Sequence, residues 1–149
     1  MKTHMKHIKI IICILICILL LIISKKPIID NNKIPNYINI RYIYQNNSTN
    51  YTINDSKIIE SLYDSIELNK GWFINEGTSA FFLGGTESTG ESISLYSDTF
   101  AIEIDNNGTI WDIKNGKFIY LSFFNNEDKT SILYENILKE LNKVGINLE

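Results

Sequence analysis

The chain has 149 residues, of which 44% are hydrophobic and 11% aromatic, and its formal net charge is −3. This length holds one domain, with or without an appended segment. The apolar content excludes an intrinsically disordered chain and a collagen-like repeat.

The charges divide the chain into two unequal parts. Residues 1–26 carry five lysines and no acidic residue, whereas residues 27–149 carry a net charge of −8. A protein that binds nucleic acid places lysine or arginine against the phosphates. Because the larger part is acidic and Arg41 is the only arginine, we expect no nucleic acid partner.

An uncharged apolar segment, IIICILICILLLIIS, occupies residues 10–24. As a helix it is about 22 Å long, which is shorter than the ~30 Å hydrocarbon core of a bilayer. The long side chains of Lys9, Lys25 and Lys26 extend the span by reaching toward the headgroups. A cleaved secretory signal peptide is the alternative. Because no small-residue cleavage site precedes Pro27, we favour an uncleaved transmembrane signal anchor over residues 10–26.

The flanking cations predict the orientation of this anchor. Residues 1–9 contain three lysines together with His4 and His7, and such basic flanks are retained in the cytoplasm. We therefore expect a cytoplasmic tail over residues 1–9 and a single-pass protein of the cell membrane, whose main domain lies outside the cytoplasm. Cys13 and Cys17 lie within the apolar segment and are interpreted as small apolar residues.

Residues 27–36 contain both prolines, Pro27 and Pro35, and are interpreted as a linker. Residues 37–149 are predicted to form an extracytoplasmic α+β domain with an antiparallel β-meander and two amphipathic helices. One helix is expected over residues 56–68, and the other stops at Gly145. Strands are expected at 37–44, 78–83, 92–97, 99–104, 109–113 and 117–124, with a polar turn at 45–50.

Two turns set the predicted faces of the meander. A two-residue turn at Asn115-Gly116 and a four-residue turn at 105–108 give one core face, and a three-residue turn would exchange the faces. The second face is either covered by a helix or is a docking surface for a partner. The predicted core face carries Phe100, Ile102, Ile104, Trp111, Ile113, Phe118 and Tyr120, and the second face carries Ala101, Glu103, Ile110, Asp112, Ile119, Leu121 and Phe123.

The main domain lacks two reactive kinds of side chain, because both histidines and both cysteines precede residue 27. A Ser-His or Cys-His nucleophile pair, or a typical zinc or copper site, is therefore not expected in it. No catalytic, cofactor-binding or metal-binding residue and no cofactor is predicted.

Two motifs fall short of a binding loop. Residues 85–92 follow the spacing of a phosphate-binding loop, but Glu91 stands where the loop needs a lysine. Residues 103–114 follow the spacing of a calcium loop, but Lys114 stands where a bidentate glutamate is needed. Both segments are interpreted as parts of hairpins.

Our leading hypothesis is a non-enzymatic, membrane-tethered domain that binds a protein or an envelope component. The enzymatic alternative is a carboxylate-based hydrolase of envelope glycan. It requires two acidic side chains, for which Glu76, Glu87, Glu91 and Asp98 are the candidates. A small immunity or inhibitor protein that occludes a toxin or an enzyme is the third hypothesis.

Overall fold

The computed structural model describes residues 2–29, 34–45, 47–75, 90–122, 125–146 and 148. Within these ranges the chain forms three helices and eight strands. The helices are α1 (Lys2–Ile23), α2 (Ser56–Glu67) and α3 (Asn126–Lys143). The strands are β1 (Lys26–Pro27), β2 (Ile38–Tyr44), β3 (Asn47–Ile53), β4 (Lys70–Asn75), β5 (Glu91–Tyr96), β6 (Ala101–Asp105), β7 (Ile110–Asp112) and β8 (Lys117–Tyr120).

The described strands form one antiparallel sheet in the order β1-β4-β8-β7-β6-β5-β2-β3. Strands β5 to β8 make the predicted meander. The β2-β3 hairpin extends it beyond β5, and β4 extends it beyond β8. The prediction of an α+β fold with an antiparallel meander is therefore confirmed.

Helix α1 includes most of the predicted tail over residues 1–9 and ends before Lys25 and Lys26. Its large apolar side chains between residues 8 and 16 are 48–59% exposed. Among the residues that the structure describes, no helix combines the length and the apolarity that a membrane span requires.

The residues that follow α1 pack against the edge of the sheet. Strand β1 pairs with β4, where Lys26 lies opposite Gly71. The Ile28 N–H donates to a carbonyl just before β4 at 3.2 Å, and Ile28 and Ile29 are buried in the core. The start of the segment 27–36, expected to be a linker, is thus packed on the domain, and residues 30–33 lie outside the described ranges.

Helices α2 and α3 lie together on one face of the sheet, where Ser61 donates to Glu140 at 2.8 Å. Helix α2 begins after Asp55, whose carboxylate accepts hydrogen bonds from the N–H groups of Lys57 and Ile58 at 2.9 and 3.3 Å. The two helices bury an apolar stripe against the sheet. This stripe consists of Ile59, Leu62, Tyr63 and Ile66 on α2 and of Leu133, Tyr134, Ile137 and Leu141 on α3.

The predicted turn between β6 and β7 is wrong. Ile104 lies opposite Ile110, and the Asp105 N–H donates to the Thr109 carbonyl at 2.9 Å. The connection between these two residues is therefore a three-residue turn over residues 106–108. Its last residue is Gly108, with a φ of +98°, a conformation that glycine adopts at little cost. A three-residue turn that ends in such a residue is a common form of hairpin.

The one-residue difference exchanges the faces of β7 and β8, so the predicted face of their side chains is wrong, although Tyr120 is buried as predicted. Ile110, Ile119 and Leu121 are buried in the core beneath the helices, which agrees with the alternative of a covering helix, so these three side chains form no docking surface. Trp111 and Phe118 lie on the opposite face of the sheet. The predicted core positions Phe100, Ile102 and Ile104 are confirmed as buried.

The turn between β7 and β8 is also longer than predicted. Asp112 lies opposite Lys117, so four residues, 113–116, make the turn in place of two. The Asp112 carboxylate accepts hydrogen bonds from the N–H and the side-chain amide of Asn115 at 3.1 and 2.7 Å. These bonds satisfy polar groups of the turn and stabilise its wider form.

Two further expectations concern strands. The polar residues 47–50, expected in a turn, belong to β3, which pairs fully with β2 at the edge of the sheet. Exposed polar side chains are typical of an edge strand. The strand expected over residues 78–83 lies outside the described residues.

Candidate functional site

A cleft of about 780 Å³ opens where α1 joins the domain. It is lined by Ser24 and residues 26–29, by residues 72–74 of β4, by residues around the start of β6 and by the turn between β7 and β8 with its flanking residues. This volume lies in the range of ~300–1,000 Å³ that is usual for small-molecule pockets. Its apolar wall is formed by the partly exposed Phe73 and Ile74 and by the buried core residues Ile28, Ile29, Phe100 and Ile102.

The described rim of the cleft is positively charged, because it carries Lys26, Lys114 and Lys117 against the single acid Asp112. The Lys114 ammonium donates to the Thr99 carbonyl at 3.0 Å. Lys26 and Lys117 form no ion pair with any described residue. A net positive site therefore lies in a domain whose overall charge is negative.

Asp112 is 6% exposed, and each of its carboxylate oxygens accepts a hydrogen bond from Asn115. Both oxygens of its carboxylate are thus engaged by the turn that follows it. Lys26 and Lys117 form no ion pair with this carboxylate and are left to interact with solvent or with a ligand.

Trp72 connects the end of α1 to the domain. Its indole N–H donates to the Ser24 hydroxyl at 3.1 Å, and the Lys25 ammonium lies 4.1 Å from its ring centroid. The same ammonium donates to the Leu121 carbonyl at 2.6 Å. These contacts fix the first residues after α1 at the mouth of the cleft, since Ser24 and Trp72 both line it.

The sheet face opposite to α2 and α3 carries a group of aromatic side chains. Trp111 and Phe118 are in edge-to-face contact, with ring centroids 4.5 Å apart, and Trp72 lies opposite Tyr120 on the neighbouring strand. Tyr120 is buried, and its hydroxyl has no hydrogen-bond partner among the described residues. Burial raises the pKa of this hydroxyl.

Glu91, one of the four candidate carboxylates, belongs to a hydrogen-bonded cluster. Its Oε1 accepts hydrogen bonds from the hydroxyls of Tyr42 and Tyr134 at 3.1 and 2.9 Å, and its Oε2 accepts one from the Asn106 amide at 2.7 Å. Burial, and then the hydrogen bond to Glu91, raises the pKa of both phenols, and that of Tyr42 reaches about 12. Both carboxylate oxygens are thus engaged in holding elements together.

The candidate carboxylates Glu91 and Asp98 are not brought together. Glu91 begins β5, whereas Asp98 lies in the exposed turn that follows this strand. At ~3.3 Å per residue the two side chains are roughly 20 Å apart, beyond the ~5–10 Å of a glycosidase pair. Glu76 and Glu87 lie outside the described residues.

The two loop-like motifs give no binding loop within the described residues. Residues 103–114 form β6, a tight turn and β7, and the side chains of Asp105 and Asn107 accept hydrogen bonds from backbone N–H groups of that turn. Most of the segment 85–92 lies outside the described residues. In the described ranges, no three histidine, cysteine or acidic side chains are grouped as they would be to hold a metal ion.

Sequence reasoning did not find the cleft. In the sequence Lys114 and Lys117 lie on either side of the predicted Asn115-Gly116 turn, and Lys26 follows the apolar segment. The first two were therefore interpreted as residues beside a turn, and Lys26 as part of a membrane flank. The basic content of residues 1–26 was the one available signal. It indicated a membrane flank and gave no indication that lysines from the meander would join it.

Comparisons with protein-family models, with curated proteins and with solved structures found no match for this chain. The class of ligand that suits the cleft is therefore inferred from the residues that line it. Ammonium groups beside an apolar wall suit a ligand that has an anionic part and an apolar part.

Proposed function

We propose that this chain is a membrane-tethered domain that lies outside the cytoplasm and binds an envelope component without catalysing a reaction. The observation that carries the proposal is the cleft, which combines a rim of lysines with an apolar wall directly after α1. A site of this kind recognises a ligand through charge and apolar contact.

The tether in this proposal is α1 together with the residues that follow it. Seven large apolar side chains between residues 8 and 16 are about half exposed, and they point in all directions around the helix because they occur at nearly every position. A helix that is apolar on all sides is buried in a core or in a membrane. The sequence supports a spanning anchor over residues 10–26, since residues 10–24 contain no charge.

The non-enzymatic part of the proposal rests on the chemistry of the cleft. The domain after residue 26 contains neither histidine nor cysteine, and the one described carboxylate of the cleft is bonded to Asn115. Histidine and carboxylate side chains are the most usual general acids and bases, and the described lining of the cleft offers no histidine and only this hydrogen-bonded carboxylate. A measured release of products from purified cell-wall glycan would contradict this part.

The location is tested by labelling cysteines in intact cells. In a background of Cys13→Ala and Cys17→Ala, Asn136→Cys places a thiol at an exposed position of α3, and Thr3→Cys places one in the predicted tail. A maleimide that does not cross membranes should label the first thiol and leave the second unlabelled until the cells are opened. The reverse pattern would refute the proposed orientation.

The tether is tested by charges placed in α1. Ile14→Arg with Leu15→Arg should release the protein from membranes at alkaline pH, since each arginine costs about 2.5–3.5 kcal/mol at the centre of a membrane helix. The matched control is Ile132→Arg with Leu68→Arg, which changes two exposed apolar residues of the domain. If the control is released as readily as the α1 variant, α1 is not the tether.

A further inference from the structure

The mouth of the cleft lies at the end of α1. Ser24 and Lys26 both line the cleft, and they are one and three residues beyond Ile23, the last residue of α1. At ~3.3–3.6 Å per residue, Lys26 lies within about 11 Å of the end of the helix. If α1 is embedded in a bilayer, the cleft lies at the level of the lipid headgroups.

The charge of the cleft distinguishes it from the rest of the domain. Three lysines line it against one aspartate, and Lys25 stands beside it on Trp72, while residues 27–149 have a net charge of −8. Lysines that are concentrated at the membrane-facing end of an acidic domain favour contact with anionic lipids.

The apolar wall of the cleft fits the other half of such a lipid. Phe73 and Ile74 line the cleft and are partly exposed, whereas the lining residues Ile28, Ile29 and Phe100 are only 1–6% exposed. An acyl chain removes apolar surface from water when it contacts such a wall. A free inorganic anion would contact the lysines alone.

We propose that the cleft between residues 24–29, β4 and the β7–β8 turn binds the headgroup and the first part of an acyl chain of an anionic phospholipid. In this arrangement Lys26, Lys114 and Lys117 contact the phosphate, and the partly exposed Phe73 and Ile74 contact the chain. The inference rests on the proposed function, because it names the class of envelope component that the cleft takes.

The test uses the full chain in a neutral maltoside detergent, with Trp111→Phe so that Trp72 is the remaining tryptophan. The chain is titrated with phosphatidylglycerol that carries six-carbon acyl chains, and the emission of Trp72 is recorded. A saturable change is expected, because Trp72 lines the cleft and holds Lys25 on its ring. Phosphatidylcholine with the same chains should bind at least about tenfold more weakly than phosphatidylglycerol.

The variants distinguish a loss of binding that comes from removed charge from one that comes from a changed β7–β8 turn. Lys114→Gln with Lys117→Gln should weaken binding of phosphatidylglycerol by about tenfold or more. Lys26→Gln with Lys117→Gln keeps the hydrogen bond from Lys114 to Thr99 and should weaken binding similarly. The matched control, Lys57→Gln with Lys139→Gln, removes two exposed lysines of α2 and α3 and should bind as the unchanged chain does.

Four results would overturn the inference. They are equal binding of phosphatidylcholine, equal binding of inorganic phosphate or glycerol phosphate, an equal loss in the control variant, and a loss confined to the variant that lacks Lys114. The titration does not depend on orientation in the cell. Its failure would therefore leave the labelling result intact, and a failed labelling result would leave the titration intact.

Discussion

Tyr134 of α3 and Glu91 of β5 are joined by a hydrogen bond of 2.9 Å between the phenol oxygen and Oε1. The Tyr42 hydroxyl shares this carboxylate oxygen, and the Asn106 amide occupies the other. A single carboxylate thereby connects a helix, two strands and a turn that are distant in sequence. Hydrogen bonds to a half-buried carboxylate are stronger than those between neutral groups, so these three donors hold the connected elements in a defined arrangement.

Tyr134→Phe should lower the free energy of unfolding by about 1.5–3 kcal/mol, because it removes a hydrogen bond to a charged group from a buried site. Tyr120→Phe is the matched control, since the Tyr120 hydroxyl is buried without a partner among the described residues. The control should leave the stability unchanged or raise it. Chemical unfolding of both variants measures the difference, and an equal loss in both would show that the bond to Glu91 contributes nothing.

The stability of the fold should fall as the pH rises from about 10 to about 12. The pKa of Tyr42 is raised to about 12 in the fold, mainly by burial and then by its hydrogen bond to Glu91, against about 10 in an unfolded chain. Between these values the unfolded state loses the proton and the folded state keeps it, so unfolding becomes more favourable. Unfolding curves at several pH values measure the effect, and Tyr42→Phe should reduce the slope. A stability that rises with pH in this window would contradict the assignment.

Ile110→Asp and Trp111→Asp test the register of the meander. Ile110 is 1% exposed in the core, so an unpaired charge there should cost ~3 kcal/mol or more. Trp111 lies on the opposite face and is partly exposed, so its replacement should cost less. Thermal melts of the two variants give the order, and a larger loss at Trp111 would restore the register in which Trp111 is in the core.

Gly108→Ala should destabilise the fold more than Gly116→Ala. Both glycines have positive φ, of +98° and +61°, which costs another residue about 1–2 kcal/mol. A Cβ at Gly108 would also lie 2.6 Å from the Glu127 Cα, while one at Gly116 would meet nothing within 4 Å. Parallel unfolding measurements compare the two, and equal losses would show that the close approach of α3 to this turn is absent.

The melting temperature of the full chain should be the same with a chelator, with a reductant and with neither. The described residues hold no metal-ligand group, and Cys13 and Cys17 are free and exposed on α1, so apolar burial must supply the stability. Calorimetry in detergent measures all three conditions. A drop of many degrees with the chelator would indicate a calcium site in the segment 103–114.

Local signals were sufficient for helix α2 and for the strands of the meander. The apolar stripe predicted α2 over 56–68, and the helix covers Ser56–Glu67. Alternation also located the four strands of the meander to within a few residues. These features depend on neighbours at most four positions away, and such neighbours can be read along the chain.

Turn length was not predictable in this way, since a difference of one residue exchanges the two faces of a strand. The turn at 106–108 is stabilised by residues that are distant in the sequence. The Asn126 side-chain amide donates to the Gly108 carbonyl at 2.7 Å, and the side-chain oxygen of Asn126 accepts a hydrogen bond from the Leu121 N–H at 2.7 Å. These partners come from the start of α3 and the end of β8. The hydrophobic pattern of β7 and β8 is apolar on both faces, so it did not select between the registers.

The sequence by itself determined the uncharged apolar segment over residues 10–24, the acidic α+β domain without histidine or cysteine, and the four successive strands of the meander. The tertiary structure alone decided which side chains meet. Lys26 and Lys117 line one cleft because β1 and β8 both lie beside β4, although 91 residues separate them. Contacts between distant residues follow from how strands pair and helices pack, and packing is a property of the whole chain.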